Sequence, residues 1–528
     1  MKNKHLAIIL LLGVSIFTAC SEDIENYNEN PNSPEVVPTS TIFNDATVAY
    51  TDFMRNGFNL GRLTLPWLQY WGQTSYADED RYAYRETTAE SIYTNTYLTA
   101  TDFKAIIELN TDETTRESQA ANGDNDNQIA ASRIMLAYMF HKLTDTFGDV
   151  PYYSFGSDDP DFQALQVDEF LSPVFAPQEK IYADILKELR ESADMINEDA
   201  PVFTSGDNIF NGDATKWKKF ANSLILRVAN RLRDVDPGTA DAAIETAIAD
   251  GVMTSNDDNA VQAYETSDAT ASPFWVAFIT RTDFAVTNTF VNVLKGETGN
   301  FGEDPRLFQY AAPSTVTIQE VKDDSYEVSM NPEDYQGVPY AFPQTQRLPF
   351  TSFTFPSSNV LRPDYGVVLM EYAEVQFIIS EHNGFSQAEY EEGVRASMQK
   401  WGVPSEDISS FVASLPTANE ENVLNQKWVS LYMQAHEAWA EYRRTGFPSL
   451  IKLPGDEIML DPNQVAALPE ESRVDSYIFE PRVEINDLPK RLRYPQILQT
   501  LNGDNRAAAA SQLSEGDVIT SALFWDVN

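Results

Sequence analysis

Apolar side chains recur at intervals of three and four residues through most of the chain, the period of a helix with one buried face. This spacing predicts a first helix over 39–56, with Ile42, Ala46, Ala49 and Phe53 on one side, and a second over 89–109. Residues 126–147 carry a broader apolar face (Ile129, Ile134, Met135, Leu136, Phe140, Leu143, Phe147), closed by Gly148 and Pro151. The clearest pair is 177–197, built on Ile181, Ile185, Leu189, Ala193 and Ile196, and 213–234, built on Trp217, Phe220, Leu224, Ile225, Val228 and Leu232. A loop holding Pro201 and Gly206 joins them into an expected antiparallel hairpin, and a shorter helix over 239–249, capped by Thr239, follows. Between 251 and 364 the helical period fades into Asp-, Asn-, Thr- and Pro-rich loops, with strands predicted at 314–321 and 326–330. Helices resume at 366–381, 387–401, 408–415 and 420–444, and the rest is mostly extended around a short helix near 495–501. The pattern describes a mainly α protein of stacked helix pairs with a few short strands. The pairs suggest a tetratricopeptide-like solenoid, although a helical bundle fits the same periods.

The first two dozen residues break the pattern. Lys2 and Lys4 precede an uncharged apolar run over 6–17, too short to span a bilayer, and Thr18 and Ala19 lead into Cys20, the only cysteine. This is the form of a bacterial lipoprotein signal, with residues 1–19 removed and Cys20 acylated at the new N-terminus. Two acyl chains of ~14 methylenes at ~0.8 kcal/mol per buried CH₂ give roughly 22 kcal/mol, an effectively permanent anchor. Residues 20–38 read as the lipidated tether, and 39–528 as one domain with a loop-rich insertion at about 251–364. Ser21-Glu22-Asp23 resembles a surface-export signal and equally suits the start of a solvated linker.

Charge narrows the partners. Residues 1–19 contain two lysines and no acid, so the remainder has 35 basic against 80 acidic residues and a net charge of −45. Such a surface repels phosphate backbones and excludes nucleic acid as a natural partner. It also leaves attachment to an anionic leaflet to the lipid. Metal and cofactor chemistry find no support. Asp124-x-Asp126-x-Gln128 lacks the glycine and distal glutamate of a calcium loop and reads as a helix cap. His141, His382 and His436 have no second histidine at ligand spacing.

Aromatic residues gather in the irregular segments. One cluster holds Trp67, Tyr70, Trp71, Tyr76, Tyr82 and Tyr84 among Gln73, Asp80 and Arg81; the other holds Phe274, Trp275, Phe278, Arg281 and Asp283, with Tyr340 in a later loop. Flat aromatic faces beside short polar side chains suit sugar rings, which offer C–H faces for stacking and hydroxyls for bidentate hydrogen bonds. Trp71 and Trp275 are the leading candidates. Core packing is the alternative for each aromatic taken singly. Three further motifs read as structural. Residues 147–152 form a helix stop, 441–448 end a helix with arginines at its negative pole, and 490–495 are a basic island expected to pair with helix carboxylates.

Several stretches, in order, resemble the SusD/RagB type of outer-membrane nutrient-binding lipoprotein: the Cys20 signal, ASRIMLAYMFHKLTDTFGDVPYY (131–153), PQEKIYADILKELRESAD (177–194), GDATKWKKFANSLILRVANR (212–231), VLMEYAEVQFIISE (368–381), QKWVSLYMQAHEAWAEYRRTGFP (426–448) and LPKRLRYP (488–495). The tether ending in NPNSP and the QYWGQTSY segment look closest to a SusD-like branch of that family. The resemblance implies four tetratricopeptide-like helix pairs packed against a loop-rich, glycan-binding face. It implies a SusC-like TonB-dependent transporter as partner, over which the protein acts as a hinged lid delivering oligosaccharide, and it implies no catalysis. An exported glycoside hydrolase and a protein- or peptide-binding surface lipoprotein are the alternatives.

Replacing Cys20 by Ala should move the protein from the membrane fraction to the soluble one. Sedimentation of the variant with membranes would show that the acyl anchor is not what holds it there.

Overall fold

The computed structural model describes residues 37–528. The signal segment, Cys20 and all but the last two residues of the tether lie outside the described residues.

Helices α1 (Thr39–Arg55), α2 (Glu86–Thr111), α3 (Asn125–Phe147), α4 (Gln178–Met195), α5 (Ala214–Arg231) and α6 (Pro237–Asp250) pack each against the next. After the loop-rich region, α7 (Tyr372–His382) packs on α8 (Gln387–Lys400) and also on α5. The chain continues through α9 (Ser405–Ser414), α10 (Glu420–Ser430) and α11 (Ala435–Thr445). The fold is therefore mainly α and tetratricopeptide-like, with consecutive pairs α1–α2, α3–α4, α5–α6 and α7–α8. Asp124 and Asp213 cap α3 and α5 by accepting from Asn127 N and Lys216 N, both at 3.1 Å. Gly148 ends α3 with φ +91° and Gly446 ends α11 with φ +73°, conformations that a side chain would strain.

Short helices occupy the loops, and the strands of the described residues form three antiparallel ribbons: β1 (Trp71–Gln73) with β3 (Phe284–Val286), β2 (Ala260–Gln262) with β4 (Val367–Met370), and β5 (Glu457–Met459) with β6 (Ser476–Ile478).

Several expected elements differ. The run over 366–381 opens as a strand. Val367–Met370 is buried throughout and pairs with β2, and the helix starts only at Tyr372; a short apolar run of this kind fits either period. The stretch 420–444 is two helices, interrupted where Met433 takes φ +70°. Residues 314–321 are not a strand: Thr317 and Glu320 form a capping box opening the helix Ile318–Lys322. Residues 326–330 form no strand. The cap of α6 is Asp236, which accepts from Thr239 N at 3.2 Å, with Pro237 as the first helical residue. Helix α1 buries Phe43, Ala46, Tyr50 and Met54, whereas Ala49 is exposed and Phe53 only half-buried.

The centre of the molecule is a buried charge network. Arg227 on α5 grips Glu374 on α7 through two hydrogen bonds of 2.6 Å. Arg231, one turn on, reaches Glu437 at 2.5 Å and Glu441 at 2.6 Å on α11. Arg444 pairs with Glu381 at 2.8 and 2.9 Å and with Glu441 at 3.0 Å. Lys427 on α10 adds a contact to Glu441 at 2.6 Å, and Lys142 on α3 pairs with Glu437. Arg443 lies on the Trp439 ring at 3.6 Å and donates to the carbonyls of Asp145 and Lys490 at 2.7 and 2.8 Å. The arginines expected at a helix end thus combine that position with internal ion pairs. In the basic island, Arg493 pairs with Glu86 on α2, whereas Lys490 and Arg491 take Asp526 and Asp517 from the C-terminal loop and not from a helix.

Burial alone would raise the Glu437 and Glu441 carboxyls, but their cationic neighbours hold both well below the usual carboxylate range. Burial drives His141 down to about 3, so it stays neutral beside Asp145. Removing one partner of a buried ion pair leaves a stranded charge and costs about 3–5 kcal/mol. Glu441→Gln should lower the unfolding free energy by about that amount at pH 7. The unfolded glutamates take up protons near the ordinary value of 4.5, while the native pair refuses them. Stability is therefore full above roughly pH 5 and falls on acidification, with a shallower fall in Glu441→Gln. Denaturant titrations of both proteins at pH 7 and pH 4 check this.

Candidate functional site

Where α1 ends, the chain makes a turn fixed by its C-cap residue. The Asn56 side chain accepts from Phe58 N and Asn59 N, both at 2.8 Å, and its carbonyl accepts from Leu60 N and Gly61 N. Gly61 is required by close approach: a Cβ there would lie 2.9 Å from the Gly57 carbonyl and 3.0 Å from the Phe284 ring. The turn holds Phe58 outward, 60% exposed, and lays Arg62 beside it. The opposing wall is residues 271–284, comprising the short helix Pro273–Phe278 and the approach to β3. Between them runs an open groove of about 620 Å³, within the range of ligand clefts. Ala49, Phe53, Phe58, Val276 and Ala277 supply its apolar surface; Asp52, Asn56, Asn95, Arg62, Arg281 and Asp283 supply the polar groups.

Its electrostatics are paired. Arg281 holds both oxygens of Asp283, at 2.7 and 2.9 Å. Arg62 donates to the Tyr76 hydroxyl at 2.7 Å and lies 3.6 Å from Asp283. Asp52 accepts from the Tyr264 hydroxyl at 2.7 Å, and partial burial raises its pKa despite that hydrogen bond.

Of the expected ligand residues, the groove gathers Arg281 and Asp283, with Tyr76 behind Arg62. Trp275 stands beside it, half-buried on the outer side of its helix. Its Nε1 donates to Asp268 at 3.0 Å and the Lys322 ammonium sits 5.3 Å above the ring. Phe274 and Phe278 point inward, against Trp71.

The first cluster must be corrected almost entirely. Trp71 is 1% exposed, stacked at 6.0 Å on Phe284, with its Nε1 donating to the Tyr432 hydroxyl at 3.0 Å. Tyr70 lies along Trp428 on α10 and donates to that residue's carbonyl. Trp67 meets Trp439 of α11 at 5.2 Å, and Tyr82 sits between Trp67 and Phe479. Tyr340 is fully buried, and its hydroxyl donates to the Asp80 carbonyl at 2.9 Å. The Asp80 carboxyl is sealed beside Gln73 N, and burial pushes it up to about 8, so it holds a proton at neutral pH. Arg81 donates to the Glu480 carbonyl at 2.6 Å. Rings with no open face cannot stack on a sugar; Tyr70 and Trp67 instead anchor this loop to α10 and α11.

Phe58, Arg62, Asp52 and Asn56 were not anticipated. The available signals were an aromatic placed in an Asn-Gly turn and the apolar Ala49 and Phe53, which the buried stripe of α1 leaves over.

A family model described as "Starch-binding associating with outer membrane" matches residues 31–466, and one described as "Susd and RagB outer membrane lipoprotein" matches residues 416–526. Among solved structures, a chitin-binding protein is similar with a TM-score of 0.72 at 21% identity, covering 93% of this chain and 100% of its own. A chitin-binding SusD homologue from Flavobacterium johnsoniae gives 0.67 at 21% identity, over 92% and 99% of the two chains. A SusD homologue from Bacteroides fragilis gives 0.66 at 19% identity, over 93% and 100%. No curated protein matches the sequence. At these identities the structural likeness shows the fold.

Trp71→Ala should cost about 3–5 kcal/mol of stability, the usual penalty for emptying a buried aromatic site. Trp275→Ala, at the surface, should change the unfolding free energy by less than about 1 kcal/mol. Chemical denaturation of the two variants checks the contrast.

Proposed function

The chain belongs to the SusD-like family, of the SusD/RagB type, and from that premise we propose that it is an outer-membrane lipoprotein that captures an oligosaccharide in the groove between Phe58 and Asp283. The observation that carries this reading is the groove's composition. An exposed ring and an apolar wall face a small set of fixed hydrogen-bonding groups, the combination a sugar requires. The lining balances two arginines against two aspartates on a chain of strongly negative charge, which favours an uncharged glycan. A polymer of N-acetylated sugars is the first candidate, in keeping with the chitin-binding proteins that share the fold.

In this reading Cys20 is acylated, residues 39–528 act as one domain, and the protein faces outward. The captured glycan passes to a SusC-like TonB-dependent transporter. No catalytic step is assigned: the reading is of a binder, supported by the family and by the chitin-binding proteins that share its fold.

The test is a calorimetric binding panel of chitohexaose, maltoheptaose and an oligouronate, with reducing-sugar release assayed in parallel. Wild type should bind a neutral oligosaccharide without releasing reducing ends. Phe58→Ala should weaken that binding about tenfold, near the upper end of an aromatic stacking contribution, with an unchanged thermal midpoint. Undiminished binding by Phe58→Ala would remove the groove from the function, and released reducing ends would replace a binder with a hydrolase.

A further inference from the structure

Resting on the glycan reading of the groove, we infer that Arg62 is the positioning residue of this site: its guanidinium sets the Phe58 ring, the Tyr76 ring and the Asp283 carboxylate in one arrangement. Its side chain is only 11% exposed, yet it reaches the Phe58 ring, the Tyr76 ring behind it and the Asp283 carboxylate of the opposing wall. The guanidinium carbon lies 4.3 Å from the centre of the Phe58 ring and 5.4 Å from that of Tyr76. One Nη donates to the Tyr76 hydroxyl at 2.7 Å and lies 3.6 Å from Asp283 Oδ2; the other is 4.0 Å from Glu79 Oε1.

This geometry uses what distinguishes arginine from lysine. A planar cation can lie against a ring while its edge donates hydrogen bonds in fixed directions; an ammonium is a point charge without a plane. Phe58 depends on that plane. At 60% exposed it has little core packing, and the Asn56 turn fixes its backbone while leaving its ring free to rotate. Arg62 covers one ring face and leaves the other available to a ligand. The same residue ties Asp283 to the turn across the groove, so the stacking surface and the hydrogen-bonding carboxylate keep a constant separation. Arg62 therefore acts through Phe58 and Asp283 and needs no contact with the sugar.

A double-mutant cycle tests this, using the tightest-binding oligosaccharide of the panel above. Arg62→Met should weaken binding about tenfold in the wild-type background and less than about threefold in Phe58→Ala, because the ring that Arg62 orients is gone. Arg62→Lys, which keeps the charge, should recover less than half of the lost binding free energy. Equal losses from Arg62→Met in the two backgrounds would overturn the positioning role, as would full rescue by Lys. If Arg62→Met does not fold, the cycle is run with Arg62→Lys, whose loss should likewise vanish in Phe58→Ala. Failure of the groove reading is distinguishable: there Phe58→Ala itself leaves affinity intact, whereas failure of this inference alone shows a weakened Phe58→Ala beside an Arg62→Met that is unaffected, equally weakened in both backgrounds, or fully rescued by Lys.

Discussion

The buried ion network at the junction of α3, α5, α7, α10 and α11 is the constraint on which the rest of the structure depends. Charges removed from water tolerate few arrangements, since each must meet its opposite with its remaining hydrogen-bonding positions filled. Lys142, Arg227, Arg231, Lys427 and Arg444 meet Glu374, Glu381, Glu437 and Glu441 from five helices spread along the chain from α3 to α11. Apolar packing would tolerate sliding among such helices; a set of bidentate and bridging ion pairs does not. A chain with only 37 lysines and arginines places several of them here.

That fixed centre reaches the groove by a short physical path. Lys427 belongs to the network, and its neighbour Trp428 lies against Tyr70. Tyr70 leads directly into Trp71 and strand β1, whose pairing with β3 sets the register of Phe284 and so of Asp283 before it. Behind the groove wall, Trp71 packs between Phe274, Phe278 and Phe284. The aromatic residues of this loop-rich face thus divide by depth. The tryptophan and the tyrosine nearest the helices transmit rigidity, and the phenylalanine at the rim keeps an open face.

Helix positions were legible because a 3.6-residue period over four or more turns is a redundant signal: α3, α4 and α5 lie within two or three residues of their expected limits. The family was legible because six stretches, most of them helical, retain their order along the chain. Short elements carry no redundancy. Four residues, Val367–Met370, satisfy both periods, and only their partner Ala260–Gln262, about a hundred residues away, makes them a strand. The site was half legible. Arg281 and Asp283 stand out as close opposite charges in a loop, but whether a loop aromatic faces inward depends on distant partners. Trp71 is buried by Tyr432 and Phe284, contacts that no local window contains. Phe58 escaped notice because one exposed phenylalanine is ordinary in sequence; only the guanidinium behind it and the wall opposite give it a role.

The balance of charge in the groove follows from the same economy. In a protein this acidic the far field repels anions at every approach, and a cleft lined by unpaired acids would repel them further. Here both lining arginines share one carboxylate, Asp283, while Asp52 is bonded by the Tyr264 hydroxyl, so the lining charges balance two against two on a negative surface. Ion pairs at partial exposure are screened and contribute little stability, which makes their placement more informative about recognition than about folding. A neutral ligand gains its affinity from ring faces and directed hydrogen bonds, interactions of short range that salt hardly screens. On the proposed reading the groove would therefore work at whatever ionic strength surrounds it, with selectivity set by the spacing between the Phe58 ring and the Asp283 carboxylate.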